Sequence, residues 1–320
     1  MKFQQLRYLC AVADSGFSIS GAAERLHTSQ PGISKQIQLL ETELNTSIFI
    51  RRGGRVIGVT ERGAEILSIA RRILKDANSL RDMGEEFKQT ESGQLSIAAL
   101  HIHARYLLRD IMAEFRKTHP QVRIDLLQGT PSKVCELVMS GEVDIGFIVE
   151  PAAPHDELLE IVCWPVPRSV YVPEGHPLLQ AARLTLEDIA RYPIIAVSPS
   201  SSVDWSIRRA FQSRGLELNI AMYSVDATVM KSYVEAGIGI ALLPSAAYEP
   251  KRDAGLRIIN VDHLFGPSEL RLAIDPFRYL RSFAYDFIER VAPDWPRQKV
   301  MAALAAKAEQ TRTRLPADSG

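Results

Sequence analysis

The stretch Thr28-Ser29-Gln30-Pro31 constrains the fold more than any other part of the chain. A hydroxyl side chain accepts a hydrogen bond from the free N–H groups of a helix start, and a proline in the first turn sacrifices no bond there. A helix therefore begins at this point, and its apolar face follows at Ile33, Ile37 and Leu40. Upstream, Ala22, Ala23 and Leu26 mark a second face, and Phe3, Leu6, Leu9 and Cys10 a third. Two short helices thus meet at a tight turn near His27 and Thr28. After Leu44 the pattern changes to Ile48-Phe49-Ile50, then Arg51-Arg52-Gly53-Gly54-Arg55, then Val56, Ile57 and Val59, which reads as a small β-hairpin with a basic glycine tip.

From about Thr60 to about Lys88 a helix runs without a breaker. Its expected inward positions, Ile66, Ala70, Ile73, Ala77, Leu80, Gly84 and Phe87, alternate spacings of four and three residues, a period that points to a helix partner. Roughly 28 residues at 1.5 Å each make a rod of about 40 Å. The small Ala and Gly occupants leave an ordinary surface helix as the alternative.

Beyond Glu91-Ser92-Gly93, short apolar runs alternate with helical patterns, the sequence form of an α/β domain with parallel strands. Strands are expected at 95–100, 122–127, 144–149, 169–172, 194–197, 220–223, 238–243 and 270–274. Helices are expected at 105–117, 132–140, 203–214, 227–236 and 278–290. The tail from Val300, rich in Ala, Lys, Arg and Gln, reads as partly helical or disordered.

In a helix-turn-helix, the first residues of the second helix face base edges while its N-terminus favours phosphate. Gln30 can pair with adenine through two hydrogen bonds, Ser34 can reach a base or a phosphate, and Lys35 can neutralise the backbone. Thr28 and Ser29 suit phosphate, Pro31 opens the helix, and Arg51, Arg52 and Arg55 can lie along the neighbouring minor groove. Each has a plainer reading, as a cap, a solvated side chain or an exposed turn. The order helix, turn, helix, basic hairpin, long helix lowers the joint probability of accident.

The charge balance agrees without deciding. The chain's 38 basic and 38 acidic residues cancel, but residues 1–60 hold seven Lys or Arg against four acids, a modest basic head. Three scattered cysteines with no metal-ligand spacing point to a reducing compartment. A start with polar residues among the apolar ones lacks a signal peptide's core, and no later run reaches the roughly 20 apolar residues of a span, so a cytoplasmic protein is expected, with no membrane partner. No GxSxG, P-loop, HExxH or GxGxxG opening a βα unit occurs; no enzyme, cofactor or metal is expected.

The run Ala22-Ala23-Glu24-Arg25-Leu26-His27-Thr28-Ser29-Gln30-Pro31-Gly32-Ile33-Ser34-Lys35-Gln36-Ile37 resembles the signature of LysR-type transcriptional regulators. Leu39-Leu40-Glu41-Thr42-Glu43-Leu44, Ile48-Phe49 and Thr60-Glu61-Arg62-Gly63 continue it in register, and the likeness extends to about residue 295. Gln4-Gln5-Leu6-Arg7-Tyr8, 28–36, and His101 with Ala104-Arg105-Tyr106 look most like the CysB branch, activators of sulfur assimilation genes. The resemblance implies promoter DNA, a small-molecule effector and RNA polymerase as partners, and a homotetramer built as a dimer of dimers that bends DNA. The organisation expected is an all-α winged helix-turn-helix over 1–60, a linker and dimerisation helix over 61–90, and an α/β effector domain like the periplasmic binding proteins over 91–295. That domain has two subdomains, roughly 91–163 with 268–295, and 164–267; a tail follows over 296–320. The competing readings are a solute-binding module without DNA regulation and a LysR-type regulator of an unrelated pathway.

A ligand in a two-lobed α/β domain sits at strand C-termini and helix N-termini, which selects 100–103, 128–132, 149–150 and 199–202. The polar candidates are His103, Gln128, Thr130, Ser132, Ser200, Ser201 and Ser202, with ordinary capping by Ser132 and Ser202 as the plain alternative. The CysB branch places small hydroxyl side chains around a sulfate at positions matching Leu100, Ile102, Val149 and Ser202. Only Ser202 keeps a hydroxyl. A small dianion would lose hydrogen bonds it needs to offset desolvation. The expectation is a larger organic anion or sulfur metabolite, such as a sulfonate, an acetylated serine or adenylylsulfate, with its apolar part near Leu100, Ile102 and Val149. The pair Gly237 and Gly239 is read as a helix-to-strand turn.

Overall fold

The structure, a computed structural model, describes residues 1–86, 92–149, 156–197, 202–266 and 268–314. It divides into two units, Met1–Gln89 and Thr90–Gly320. Among the described residues no helix is long and apolar enough to cross a membrane.

The first unit runs α1 (Phe3–Asp14), α2 (Ile19–Arg25), α3 (Gln30–Glu43), β1 (Phe49–Arg52), β2 (Arg55–Val59) and α4 (Glu61–Glu86). Leu6, Leu9, Val12, Ala22, Ile33, Ile37 and Leu40 form one core, joined by Ile48, Phe49, Leu67 and Ala70. Each buried Val, Leu, Ile or Phe among these stabilises the unit by about 1.5–3 kcal/mol, and each Ala by less. Phe3, expected on the same face, lies exposed one turn before the buried residues begin. Gly63 sits where α4 passes the end of β1: a Cβ there would stand 2.1 Å from the Ile48 carbonyl oxygen, so only glycine permits the approach.

The expected inward face of α4 divides in two. Ile66, Ala70 and Ile73, with Leu67 and Leu74, rest on the core of their own unit. Leu80 is 71% exposed and Ile69 48%, so the apolar stripe continues beyond the core that uses it. Phe87 lies outside the described residues.

The second unit runs β3 (Gly93–Ala99), α5 (His101–Tyr106), α6 (Arg109–Thr118), β4 (Val122–Gln128), α7 (Pro131–Met139), β5 (Ile145–Val149), β6 (Leu159–Pro165), β7 (Arg168–Pro173), α8 (Leu186–Ala190), β8 (Ile194–Ala196), α9 (Ser202–Gln212), β9 (Ile220–Tyr223), α10 (Ala227–Glu235), β10 (Ile240–Pro244), β11 (Leu256–Asn260), α11 (Asp262–Phe265), β12 (Glu269–Ile274), α12 (Ser282–Val291) and α13 (Arg297–Arg314). Two five-stranded sheets result, ordered β4-β3-β5-β12-β6 and β11-β7-β10-β8-β9. The chain passes from the first lobe to the second after β6 and returns after β11. At these passages the Val166 N–H donates to the Ser268 carbonyl, 2.7 Å, so the two connections are tied together.

The sheets are mixed where parallel strands were expected. β3, β4 and β5 are parallel, but β12 runs antiparallel to β5 and β6, and β7 antiparallel to β10 and β11. A strand arriving from the other lobe needs no helical crossover and can enter in the opposite sense. The helix expected at 105–117 is broken at Leu107 and Leu108 into α5 and α6, and the one expected from 278 starts at Ser282. Gly237 has φ +77° at the end of α10, and a Cβ at Gly239 would meet the Pro193 carbonyl oxygen at 2.4 Å, which accounts for both glycines. The tail is helical through Arg314, held by Val300 and Leu304 in the first lobe's core. Residues 315–320 lie outside the described residues.

Candidate functional sites

Three features aim the start of α3 outward. The turn before it is closed by the Thr28 N–H donating to the Ala23 carbonyl, 3.0 Å, with His27 at φ +49°. Ser29 Oγ accepts the Gly32 N–H, 3.3 Å, so Ser29 is the cap and Pro31 occupies the first turn. Burial of Ile33, Ile37 and Leu40 leaves Gln30, Pro31 and Lys35 exposed and Ser34 half-buried. Among the described residues the side chains of Thr28, Gln30, Ser34 and Lys35 have no hydrogen-bond or ion-pair partner. These are donors and acceptors that the fold leaves for something else.

The hairpin sorts its arginines. Gly53 and Gly54 have φ +58° and +78°, the backbone of a two-residue turn, which sets Arg52 opposite Arg55. Arg51 is committed: its guanidinium pairs with Glu41, 2.8 Å, and the same carboxylate accepts the Ile48 and Phe49 N–H groups. Arg51 thereby fixes the hairpin to α3, while Arg52 and Arg55 are like charges directly opposite each other, an arrangement that an anion lying between them would stabilise.

Between the lobes of the second unit lies a cavity of about 270 Å³. Leu100, Ile102, His103, Thr130 and Val149, all expected at the ligand, line it. The second lobe supplies a wall that the sequence did not suggest: Val197, Val225, Ala227, Met230, Leu242 and Leu243, with Val166, Arg168 and Ser268 from the connections. No acidic residue lines it among the described residues, whereas Arg168 is a buried cation. His103 is 2% exposed, and burial pushes its pKa down to about 4, so it is neutral at physiological pH. Its Nδ1 has no partner among the described residues, which is costly in an enclosed apolar site unless a ligand supplies one.

The capping assignments shift. Thr130 Oγ1, not Ser132, accepts the Lys133 N–H, 3.3 Å, and Ser132 is exposed outside the cavity wall. Ser200 and Ser201 lie outside the described residues; Ser202 begins α9, but its side chain is not among those described. Gln128 faces a second pocket of about 250 Å³ that adjoins the cavity, shares His101, Ile102 and Ala227 with it, and adds Arg105, Tyr106 and Asp226.

The three cysteines are buried or half-buried. Burial pushes the thiols of Cys10 and Cys135 up to about 11 and that of Cys163 to about 12, so none is a reactive thiolate at neutral pH.

A helix-turn-helix with a basic wing, followed by a two-lobed α/β unit enclosing a cavity, defines a DNA-binding regulator with a small-molecule domain. The pattern of the bacterial regulatory helix-turn-helix of the lysR family matches residues 3–64, and that of the LysR substrate binding domain residues 88–295. The chain belongs to the LysR family of DNA-binding transcriptional regulators. It is 39% identical to the transcriptional regulator CysB of Burkholderia cenocepacia over 97% of this chain and 99% of the relative. It is 38% identical to the regulator SsuR of the same organism, over 92% and 95%. Among solved structures, the cofactor-binding domain of the Cbl transcriptional regulator superposes with a TM-score of 0.63 at 31% identity, covering 67% of this chain and 93% of that domain.

Proposed function

We propose that this protein is a cytoplasmic activator of sulfur assimilation or organosulfur utilisation genes that works as a homotetramer with RNA polymerase at its promoters. The effector is an organic sulfur metabolite rather than bare sulfate. One observation carries the choice of ligand: Leu100, Ile102 and Val149 stand together in the cavity wall, with an unpartnered neutral imidazole and no acid beside them. Such a chamber rewards burial of apolar surface and, beyond Arg168 and Thr130, offers a small dianion few partners to replace its hydration shell.

In this reading Thr28, Ser29, Gln30, Pro31, Ser34 and Lys35 meet the operator, with Arg52 and Arg55 at the neighbouring groove and Arg51 holding the hairpin in place. Leu100, Ile102, His103, Thr130 and Val149 meet the effector. The exposed stripe at Ile69 and Leu80 suits a second copy of α4.

Footprinting on the gene's own upstream region, with sulfate, thiosulfate, acetylserine, adenylylsulfate, alkyl sulfonates and S-methylcysteine in turn, tests this. Two adjacent protected sites whose length changes with one organic sulfur compound are expected. A response to sulfate alone would remove the organic effector, and specific protection without any response would remove the sulfur assignment.

A further inference from the structure

The cavity and the pocket beside it differ in chemistry. The cavity, about 270 Å³, is walled mostly by aliphatic side chains and Met230 around the buried His103, with Arg168, Thr130 and Ser268 among its other polar residues. The adjoining pocket, about 250 Å³, is lined by His101, Arg105, Tyr106, Gln128 and Asp226. Ligand sites generally occupy about 300–1,000 Å³, so either space alone is small and the two together are ordinary. His101, Ile102 and Ala227 belong to both walls, so the two spaces adjoin along these residues.

The outer pocket holds both signs of charge. The Arg105 guanidinium lies 5.3 Å from the Tyr106 ring centre and, among the described residues, has no carboxylate within ion-pair distance. Asp226 caps α10, its Oδ1 accepting the Thr228 and Val229 N–H groups at 2.6 and 3.4 Å. Burial pushes this carboxyl up, but those N–H groups, the Thr228 hydroxyl and the Arg105 charge outweigh it and hold Asp226 ionised. A simple anion entering here meets Asp226 as a like charge, and a simple cation meets Arg105. A head carrying both signs on neighbouring atoms suits both.

We propose that the effector is an α-amino acid with a sulfur-bearing side chain. Its carboxylate accepts from Arg105, its ammonium donates to Asp226, and its thioether-like side chain lies in the cavity against Met230, Leu100 and Val149 beside His103. The inference rests on reading the cleft as the effector site and names the ligand's class. It also sets apart from the effector those sulfur metabolites, acetylated or desamino, that lack a free ammonium.

Calorimetric titration of the full-length protein with S-methylcysteine, N-acetyl-S-methylcysteine and 3-(methylthio)propionate tests it. The free amino acid is expected to bind about fivefold tighter than either of the others, the scale of a partly exposed ion pair. Asp226→Asn retains a helix cap and is expected to abolish that preference, while Arg105→Gln weakens all three carboxylates alike. Equal or tighter binding of the acetylated or desamino compound, or an unchanged preference in Asp226→Asn, overturns the proposal. If alkyl sulfonates bind and none of the three probes does, the amino acid head is wrong and the organic effector stands. If sulfate alone binds, both fall.

Discussion

Lys35 and Lys231 are the same side chain in two regions that use it oppositely. Lys35 projects from the exposed side of α3 with no partner among the described residues. Lys231 is 4% exposed: its Nζ donates to the Ala247 carbonyl at 2.8 Å and to Asp253 Oδ2 at 2.7 Å, and lies 5.1 Å from the Tyr106 ring centre. One charge is left for a partner and is screened by salt; the other is consumed by the fold and shielded from it. The contrast extends to the surroundings. The face of the first unit is open and polar, so its groups act one by one, whereas the cavity of the second is enclosed and apolar, so each polar atom there must be answered.

The largest effect expected is from Lys231→Ala, which strands Asp253 in the interior and should lower stability by about 3–5 kcal/mol in urea unfolding. A loss under about 1 kcal/mol would break the distinction between the two lysines. Next comes the buried imidazole. As pH falls from 6.5 towards 4, the unfolded chain takes up a proton at His103 that the folded chain refuses, so the His103 contribution to stability falls with acid, by about 3 kcal/mol in all, and is constant above pH 7. His103→Gln should remove that slope from a denaturant-by-pH series; an unchanged slope would mean the imidazole is protonated in place. The smallest effects belong to the open face. Gln30→Ala should relax discrimination at a single base pair, by about 1–3 kcal/mol. Lys35→Ala should leave the melting temperature alone and lessen the salt dependence of DNA binding by about one counterion.

Legibility followed the same divide. Caps, proline and a 3.6-residue period are local, so α2, α3 and the glycine turn of the hairpin could be read along the chain. So could the first-lobe wall, because Leu100 directly follows β3, Val149 ends β5, and Ile102 lies in the first turn of the helix after β3. The second-lobe wall could not: Met230 and Leu242 look like any core residue until the fold brings them opposite Leu100. β6 and β11 escaped notice for a related reason. Both are edge strands, with Glu160 and Pro165 in one and Arg257 and Asn260 in the other interrupting the apolar run. The faint alternation of Leu159, Ile161 and Cys163 was the signal available. The commitment of Arg51 to Glu41 had none, since the partners stand ten residues apart and meet only once the hairpin folds back on α3.

The bond from the Val166 N–H to the Ser268 carbonyl joins the two passages between the lobes, and both residues also line the cavity. The cords on which the two lobes hang are thus knotted together at the floor of the chamber itself, and whatever fills the chamber rests directly on the knot.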